Sequence, residues 1–126
     1  MQDKVKSSTA VYDLKQRTFQ CALDVMRFLE TLPNGYISQT IGKQLLRSAT
    51  SIGANVVEGR ASSSRKDFAN FYSYALKSAN ESIFWLELLR DGGKAPTDQI
   101  HPLIAEVHQL AKILASCLIT ARGRRR

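Results

Sequence analysis

The 126-residue chain contains few of the residues on which several common functions depend. It has two cysteines, Cys21 and Cys117, together with two histidines and three prolines. Because the cysteines lie far apart and no charged-then-apolar leader opens the chain, we expect a reduced, cytoplasmic protein. No apolar run approaches the about 20 residues that span a bilayer, so no membrane segment is predicted. A chain of this length predicts one soluble domain with its own core.

The two histidines are also poorly placed for a metal site. His101 and His108 share a helix face but stand about 10 Å apart along its axis, too far to share one ion. A di-metal bundle uses Glu-x-x-His pairs, whereas Asp98 and Ala105 occupy the positions three before these histidines. Both cysteines fall on apolar seams, where an inert thiol is expected. The sequence therefore predicts no cofactor, no metal and no catalytic residue.

Positive charge is in excess, and much of it lies at the carboxyl terminus. The formal net charge is +7, and the last five residues include four arginines: Arg122, Arg124, Arg125 and Arg126. Clustered cations can neutralise nucleic-acid phosphates or an acidic partner. A solvated tail that aids solubility is the alternative, and the sequence leaves both open. We assign residues 1–121 to one domain and residues 122–126 to a basic tail.

Apolar residues spaced by three and four predict four helices and no strand. The seam of the first helix runs from Val11 to Leu32. A second apolar stripe lies beside it: Phe19, Ala22, Met26 and Leu29. After a turn at Pro33-Asn34-Gly35, the second helix is predicted to start near Ser38. Its inward residues are Ile37, Ile41, Leu45, Ala49, Ile52 and Val56.

The third and fourth helices have clear start and stop signals. Ser64 and Asp67 form a capping box, which starts a helix over 65–91, and Gly92-Gly93 ends it. Its inward residues are Phe68, Tyr72, Ala75, Ala79, Ile83, Leu86 and Leu89.

The fourth helix starts between Thr97 and Gln99, and Pro102 favours the later start. Its seam consists of Ile100, Leu103, Val107, Leu110, Leu114, Cys117 and Ala121. Short connections predict an all-α, antiparallel up-down-up-down four-helix bundle.

The stretch from Ser48 to Gly59 contains two glycines among small residues and resembles a phosphate-binding loop only superficially. Gly53 and Gly59 are separated by five residues, no lysine follows, and the preceding pattern is helical rather than a strand. Small residues instead predict close helix packing, with Gly59 stopping the helix. We interpret Ser51, Asn55, Glu58 and Gly59 as a structural motif whose polar groups bond loop amides or a partner subunit.

Aromatic residues concentrate on the third helix, which is aromatic nearly all round. They are Phe68, Phe71, Tyr72, Tyr74, Phe84 and Trp85. Some belong to the core, and the others meet another subunit or stack on single-stranded nucleic acid. Lys77 is the basic residue that interleaves with them, so subunit contact is favoured.

The run QLLRSATSIGANVVEGRASSSRKDFANFYSYALKSANES resembles the hallmark of four-helix-bundle proteins encoded in intervening sequences of bacterial 23S rRNA genes. The matching elements are Gln44-Leu45, Arg47, Ser51-Ile52, Asn55, Glu58-Gly59, Phe68, Phe71 and Ser78. That family is similar in architecture to the accessory variability determinant of diversity-generating retroelements. The resemblance implies a non-enzymatic homo-oligomer, a pentameric ring, that binds RNA or DNA and assists a reverse transcriptase.

Two functions of different classes follow from these observations. In one, an oligomer gathers cations into a surface that binds nucleic acid. The candidate residues are Lys43, Arg47, Arg60, Arg65, Lys66, Arg122, Arg124, Arg125 and Arg126. In the other, the bundle is a protein-protein adaptor whose tail binds an acidic partner. Oligomerisation is expected because the first and third helices carry more apolar surface than one bundle core needs.

Overall fold

Four helices make up most of the computed structural model, which describes residues 14–123. In chain order they are α1 (Leu14–Leu29), α2 (Tyr36–Ala61), α3 (Arg65–Asp91) and α4 (Thr97–Gly123). Helices α1 and α3 each pack against both α2 and α4, which closes a four-helix bundle. Residues 14–123 contain no strand. The predicted all-α four-helix bundle is confirmed.

The start of α2 differs from the prediction. The helix begins at Tyr36, where Gly35 is the N-cap residue and its carbonyl accepts from Gln39 N at 3.0 Å. Counting back one heptad from the buried Leu45 leads to Ser38, which is buried, whereas Ile37 points outward and is exposed. The predicted inward position of Ile37 is therefore wrong.

The start of α3 matches the prediction, and α4 starts at Thr97, the first residue of its predicted range. Ser64 Oγ accepts from Asp67 N at 3.0 Å, which is the N-cap bond expected from the capping box. The preference for a later start of α4 is wrong, because Gln99 N and Ile100 N both donate to the Pro96 carbonyl and the helix begins at Thr97. Pro102 consequently lies inside the helix, on an exposed face.

The inward faces of the four helices form one continuous core. The largest fully buried side chains come from every helix: Leu14, Val25, Leu45, Ile52, Val56, Leu86, Leu89, Ile100, Val107, Leu110 and Leu114. Most predicted seam residues are buried. Cys117 is only half-buried, while Leu118 beside it is buried.

Helix α4 is also the most apolar of the helices. Among the described residues it is the one helix long and apolar enough to cross a membrane, because its most apolar 18-residue stretch has a mean hydropathy of 1.4. Of that stretch, 33% is buried inside the bundle. The core helix of a helical bundle can have the same length and composition.

Candidate nucleic-acid interface

Helices α2 and α3 meet along a seam of serines. Ser48 Oγ lies 2.8 Å from Ser82 Oγ, and both side chains are fully buried. One turn further along α2, Ser78 Oγ donates to Ser51 Oγ at 3.0 Å. Because serine side chains are short, the two backbones can approach closely while each hydroxyl keeps a hydrogen-bond partner.

Asn55 extends the seam toward the carboxyl end of α2. Its Nδ2 donates to the Ser51 carbonyl at 2.9 Å and to Ser51 Oγ at 3.0 Å. These donors are therefore used within α2 itself, and the bonding of loop amides or a partner subunit stays a prediction. Glu58, one turn on, is exposed.

Gly59 has a packing role instead of the predicted stop role, because α2 continues to Ala61. A Cβ placed on Gly59 would lie 2.7 Å from Tyr72 Cδ1 and 3.2 Å from Phe71 Cβ. Only a glycine allows α3 to lie this close to α2. The helix ends two residues later, and Ser62 N and Ser62 Oγ both donate to the Gly59 carbonyl.

Arg47 is exposed on the same helix, yet its charge is already paired. Its guanidinium donates to Glu81 Oε2 and to Gln44 Oε1. The same Glu81 oxygen accepts from Trp85 Nε1 at 2.9 Å. The Arg47 side chain remains 59% exposed, so it holds α2 to α3 and still presents positive charge outward.

Four of the other candidate cations come together at one end of the bundle. Antiparallel order brings the end of α2, the start of α3 and the end of α4 to the same level, and with them Arg60, Arg65, Lys66 and Arg122. All four are exposed. Arg122 lies in the last turn of α4. We call this the basic end.

The sequence-based list missed two further cations, Lys15 and Arg17, on the half of the bundle that holds the basic end. They do not lie at that end itself, because their neighbour Thr18 lies against Gly53, eight residues before the end of α2. Arg17 is ion-paired with Glu106 of α4 at 2.7 Å, whereas Lys15 is exposed.

The remaining candidates lie elsewhere. Lys43 and Arg47 are on the exposed side of the middle of α2, about 20 Å or more from the basic end. Arg124, Arg125 and Arg126 lie outside the described residues.

Charge is reversed at the opposite end of the bundle. The basic end as described holds four cations, Arg60, Arg65, Lys66 and Arg122, and two carboxylates, Glu58 and Asp67. The opposite end holds three cations and five carboxylates: Arg27, Arg90 and Lys94 against Asp24, Glu30, Glu87, Asp91 and Asp98. At that end, a hydrogen bond from Arg90 lowers the pKa of Asp91, which keeps the carboxylate ionised. The bundle is therefore polarised along its axis.

The titratable core residues are in their neutral forms. Burial raises the pKa of Cys21 to about 12, and it also raises the pKa values of Cys117 and Tyr72. A thiol with a raised pKa is a poor nucleophile. Residues 14–123 contain no group of three or more His, Cys, Asp or Glu side chains that could hold a metal ion.

Comparisons with known proteins place this geometry in a family. The family model of the 23S rRNA-intervening sequence protein matches residues 11–116. The chain belongs to this family. A solved structure, a protein of unknown function from the S23 ribosomal protein family of Bacteroides thetaiotaomicron, is 33% identical with a TM-score of 0.80. The match covers 86% of this chain and 97% of that one. No functionally curated protein matches.

Proposed function

We propose that this protein is a non-enzymatic homo-oligomer that binds RNA or DNA through its basic end. The observation that carries the proposal is the polarisation of charge. Cations from three helix termini lie together at one end, while carboxylates outnumber cations at the other. A polyanion bound at the basic end releases counterions and stays away from the acidic end.

Assembly would multiply this surface. In a ring whose bundle axes are parallel, every basic end lies on the same face, so that the separate clusters form one continuous cationic surface. Five copies in a ring, as the family resemblance implies, would each contribute a chain of net charge +7. A reverse transcriptase as protein partner stays a prediction from that resemblance.

A gel-shift titration against structured RNA and duplex DNA at rising salt tests the proposal. The Lys66→Glu/Arg122→Glu variant and the chain lacking residues 122–126 are expected to lose roughly tenfold or more in affinity and to show a smaller salt slope. Lys94→Glu/Arg27→Glu makes the same change in net charge at the opposite end and is expected to bind like the natural chain.

The control separates local contacts from overall charge. Equal losses in both double variants would mean that only net charge matters, and the proposed interface would be wrong. No binding by the natural chain at low salt would favour the adaptor function instead, in which the cations address an acidic protein.

A further inference from the structure

Helices α1 and α2 leave an apolar groove between them on the outside of the bundle. Its larger hollow, about 580 Å³, is lined mainly by Phe19, Ala22, Met26, Gly53, Ala54 and Val57. A smaller hollow of about 150 Å³ continues along the same two helices past Leu46 and Gly42. Phe19 is 61% exposed although it is a large aromatic residue. Together these hollows are the α1–α2 groove.

A second unpartnered surface runs along α3. Its residues repeat by three and four over the whole helix, which places them on one stripe: Asp67, Asn70, Tyr74, Lys77, Glu81, Phe84, Leu88 and Asp91. Tyr74 and Phe84 are each more than half exposed, and Leu88 is 39% exposed. We call this stripe the α3 outer face.

We propose that the α1–α2 groove of one copy is covered by the α3 outer face of a second copy. The inference rests on the homo-oligomer of the proposed function and names the two surfaces that build it. Within one chain the two surfaces lie on different sides of the bundle, so they can meet only between copies. Association through two unlike surfaces is head-to-tail and can close into a ring.

Charge disfavours the pairing of two grooves. The charged residues that line the groove are Lys15 and Lys43, both cations. The α3 outer face carries three carboxylates, of which Glu81 is already paired with Arg47 and Asp91 with Arg90, and one cation, Lys77. Two grooves placed face to face would bring only cations together, whereas the α3 outer face offers the groove a surface whose charges are largely balanced.

The exposed apolar residues of the groove and of the α3 outer face also lie at similar positions along the bundle axis. Thr18 lies against Gly53, and Ser51 is bonded to Ser78, so these pairs fix which residues of α1, α2 and α3 share a level. All helices rise by about 1.5 Å per residue, so counting from these two pairs gives the position of every other residue along the bundle axis. By this count Phe19 of α1 is at the same height as Lys77 of α3, which is beside Tyr74. When two copies stand with parallel axes, the exposed aromatics of the groove and the outer face therefore come level.

The same count brings Met26 level with Phe84. Lys43 falls between the levels of Glu81 and Asp91. Parallel axes are also the arrangement that keeps all basic ends on one face.

Light scattering and sedimentation velocity on single variants test the pairing. Phe19→Asp and Phe84→Asp each place a carboxylate in one of the two surfaces, and each is expected to weaken assembly roughly 30-fold or more. Both positions are exposed, so the variants are expected to keep their helix content by circular dichroism. Ile119→Asp is the matched control, because Ile119 is 72% exposed but lies on α4, outside both surfaces.

Mixing the two variants is the sharpest part of the experiment. Phe19→Asp retains a sound α3 outer face and Phe84→Asp retains a sound groove, so an equimolar mixture is expected to form a species of twice the protomer mass. A mixture that stays monomeric would overturn the proposal. So would a Phe84→Asp variant that assembles like the natural chain, since the groove would then have another occupant.

The outcome can be separated from that of the proposed function. If the natural chain is a single copy at high concentration, the pairing and the oligomer both fail. If it assembles but the variants assemble equally well, only the pairing fails. If assembly depends on both surfaces but the natural chain shifts no nucleic acid, the pairing holds and the binding function fails.

Discussion

Tyr72 of α3 lies against Gly59 of α2 so closely that a methyl group on the glycine would stand 2.7 Å from Tyr72 Cδ1. The Tyr72 ring is itself buried and stacked on Phe68 at a centroid distance of 4.1 Å, which limits its freedom to move away. The Gly59→Ala variant is therefore expected to lose about 1 to 2 kcal/mol of unfolding free energy. Overpacking outweighs the gain in helix propensity. Chemical denaturation measures the loss.

Gly123→Ala is the control for this substitution. Nothing lies within 4 Å of a Cβ at Gly123, so the change is expected to be neutral or slightly stabilising. A stabilised Gly59→Ala variant would show that α3 can shift away from α2 at low cost.

The serine seam is expected to couple α2 and α3 weakly but measurably. If Ser48 is changed to alanine, the Ser82 hydroxyl can still donate to the Ser78 carbonyl. If Ser82 is changed, the Ser48 hydroxyl can still donate to the Leu45 carbonyl. Each single substitution is then mild, and a double-mutant cycle is expected to give a coupling energy of roughly 1 kcal/mol.

Thr50→Ala provides the baseline for the serine cycle, because its exposed hydroxyl bonds only within α2, to the Leu46 and Arg47 carbonyls. A Ser48–Ser82 coupling near zero would mean that the cross-helix bond adds nothing beyond the backbone bonds.

Arg17 and Glu106 join α1 to α4 through two bonds, Nε to Oε2 at 3.1 Å and Nη2 to Oε1 at 2.7 Å. Paired bonds of this kind in a half-buried setting are expected to contribute about 1 kcal/mol of coupling, decreasing at high salt. A double-mutant cycle at two ionic strengths measures it. The exposed Asp24–Arg27 pair, 3.7 Å apart, is the control and is expected to give a coupling of at most about 0.5 kcal/mol.

Cys21 gives the fold a dependence on alkaline pH. Burial raises its pKa from 9.0 to about 12, so above pH 9 the unfolded chain releases a proton that the folded chain retains. The associated stability is complete below pH 9 and is lost as the pH rises toward 12, by about 1.4 kcal/mol per pH unit at most.

The measurement is unfolding free energy against pH from 8 to 11 for the natural chain and for Cys21→Ala. The variant is expected to be less stable near pH 8 and to show a flatter slope above pH 9, so that the difference between the two chains narrows as the pH rises. Equal slopes would mean that the Cys21 thiol ionises as readily in the folded protein as in the unfolded one.

The helices and their inward faces were predictable because periodicity reports burial directly, as for Leu14, Val25 and the seam of α4. The ends of the helices were harder to predict. The start of α4 depends on which carbonyl accepts the first amide hydrogens, and the Pro96 carbonyl, not the position of Pro102, sets it at Thr97. The basic end follows from short connections, which bring Arg60 and Arg122 together.

The polar pairs of the seam could not have been predicted. Whether Ser51 meets Ser78 depends on the axial register of α2 against α3, and a shift of one residue would remove the bond. The sequence shows only that both residues are small and polar.

The uneven placement of charge between the two ends of the bundle has a consequence for encounter. A particle with opposite poles turns in the field of a polyanion before it touches it, over a separation of about 8 Å in physiological salt. If the protein binds nucleic acid as proposed, its basic end would then already face the nucleic acid at the first collision. Dilute buffers would lengthen the range of this orientation and speed capture, without any change in the contacts made afterwards.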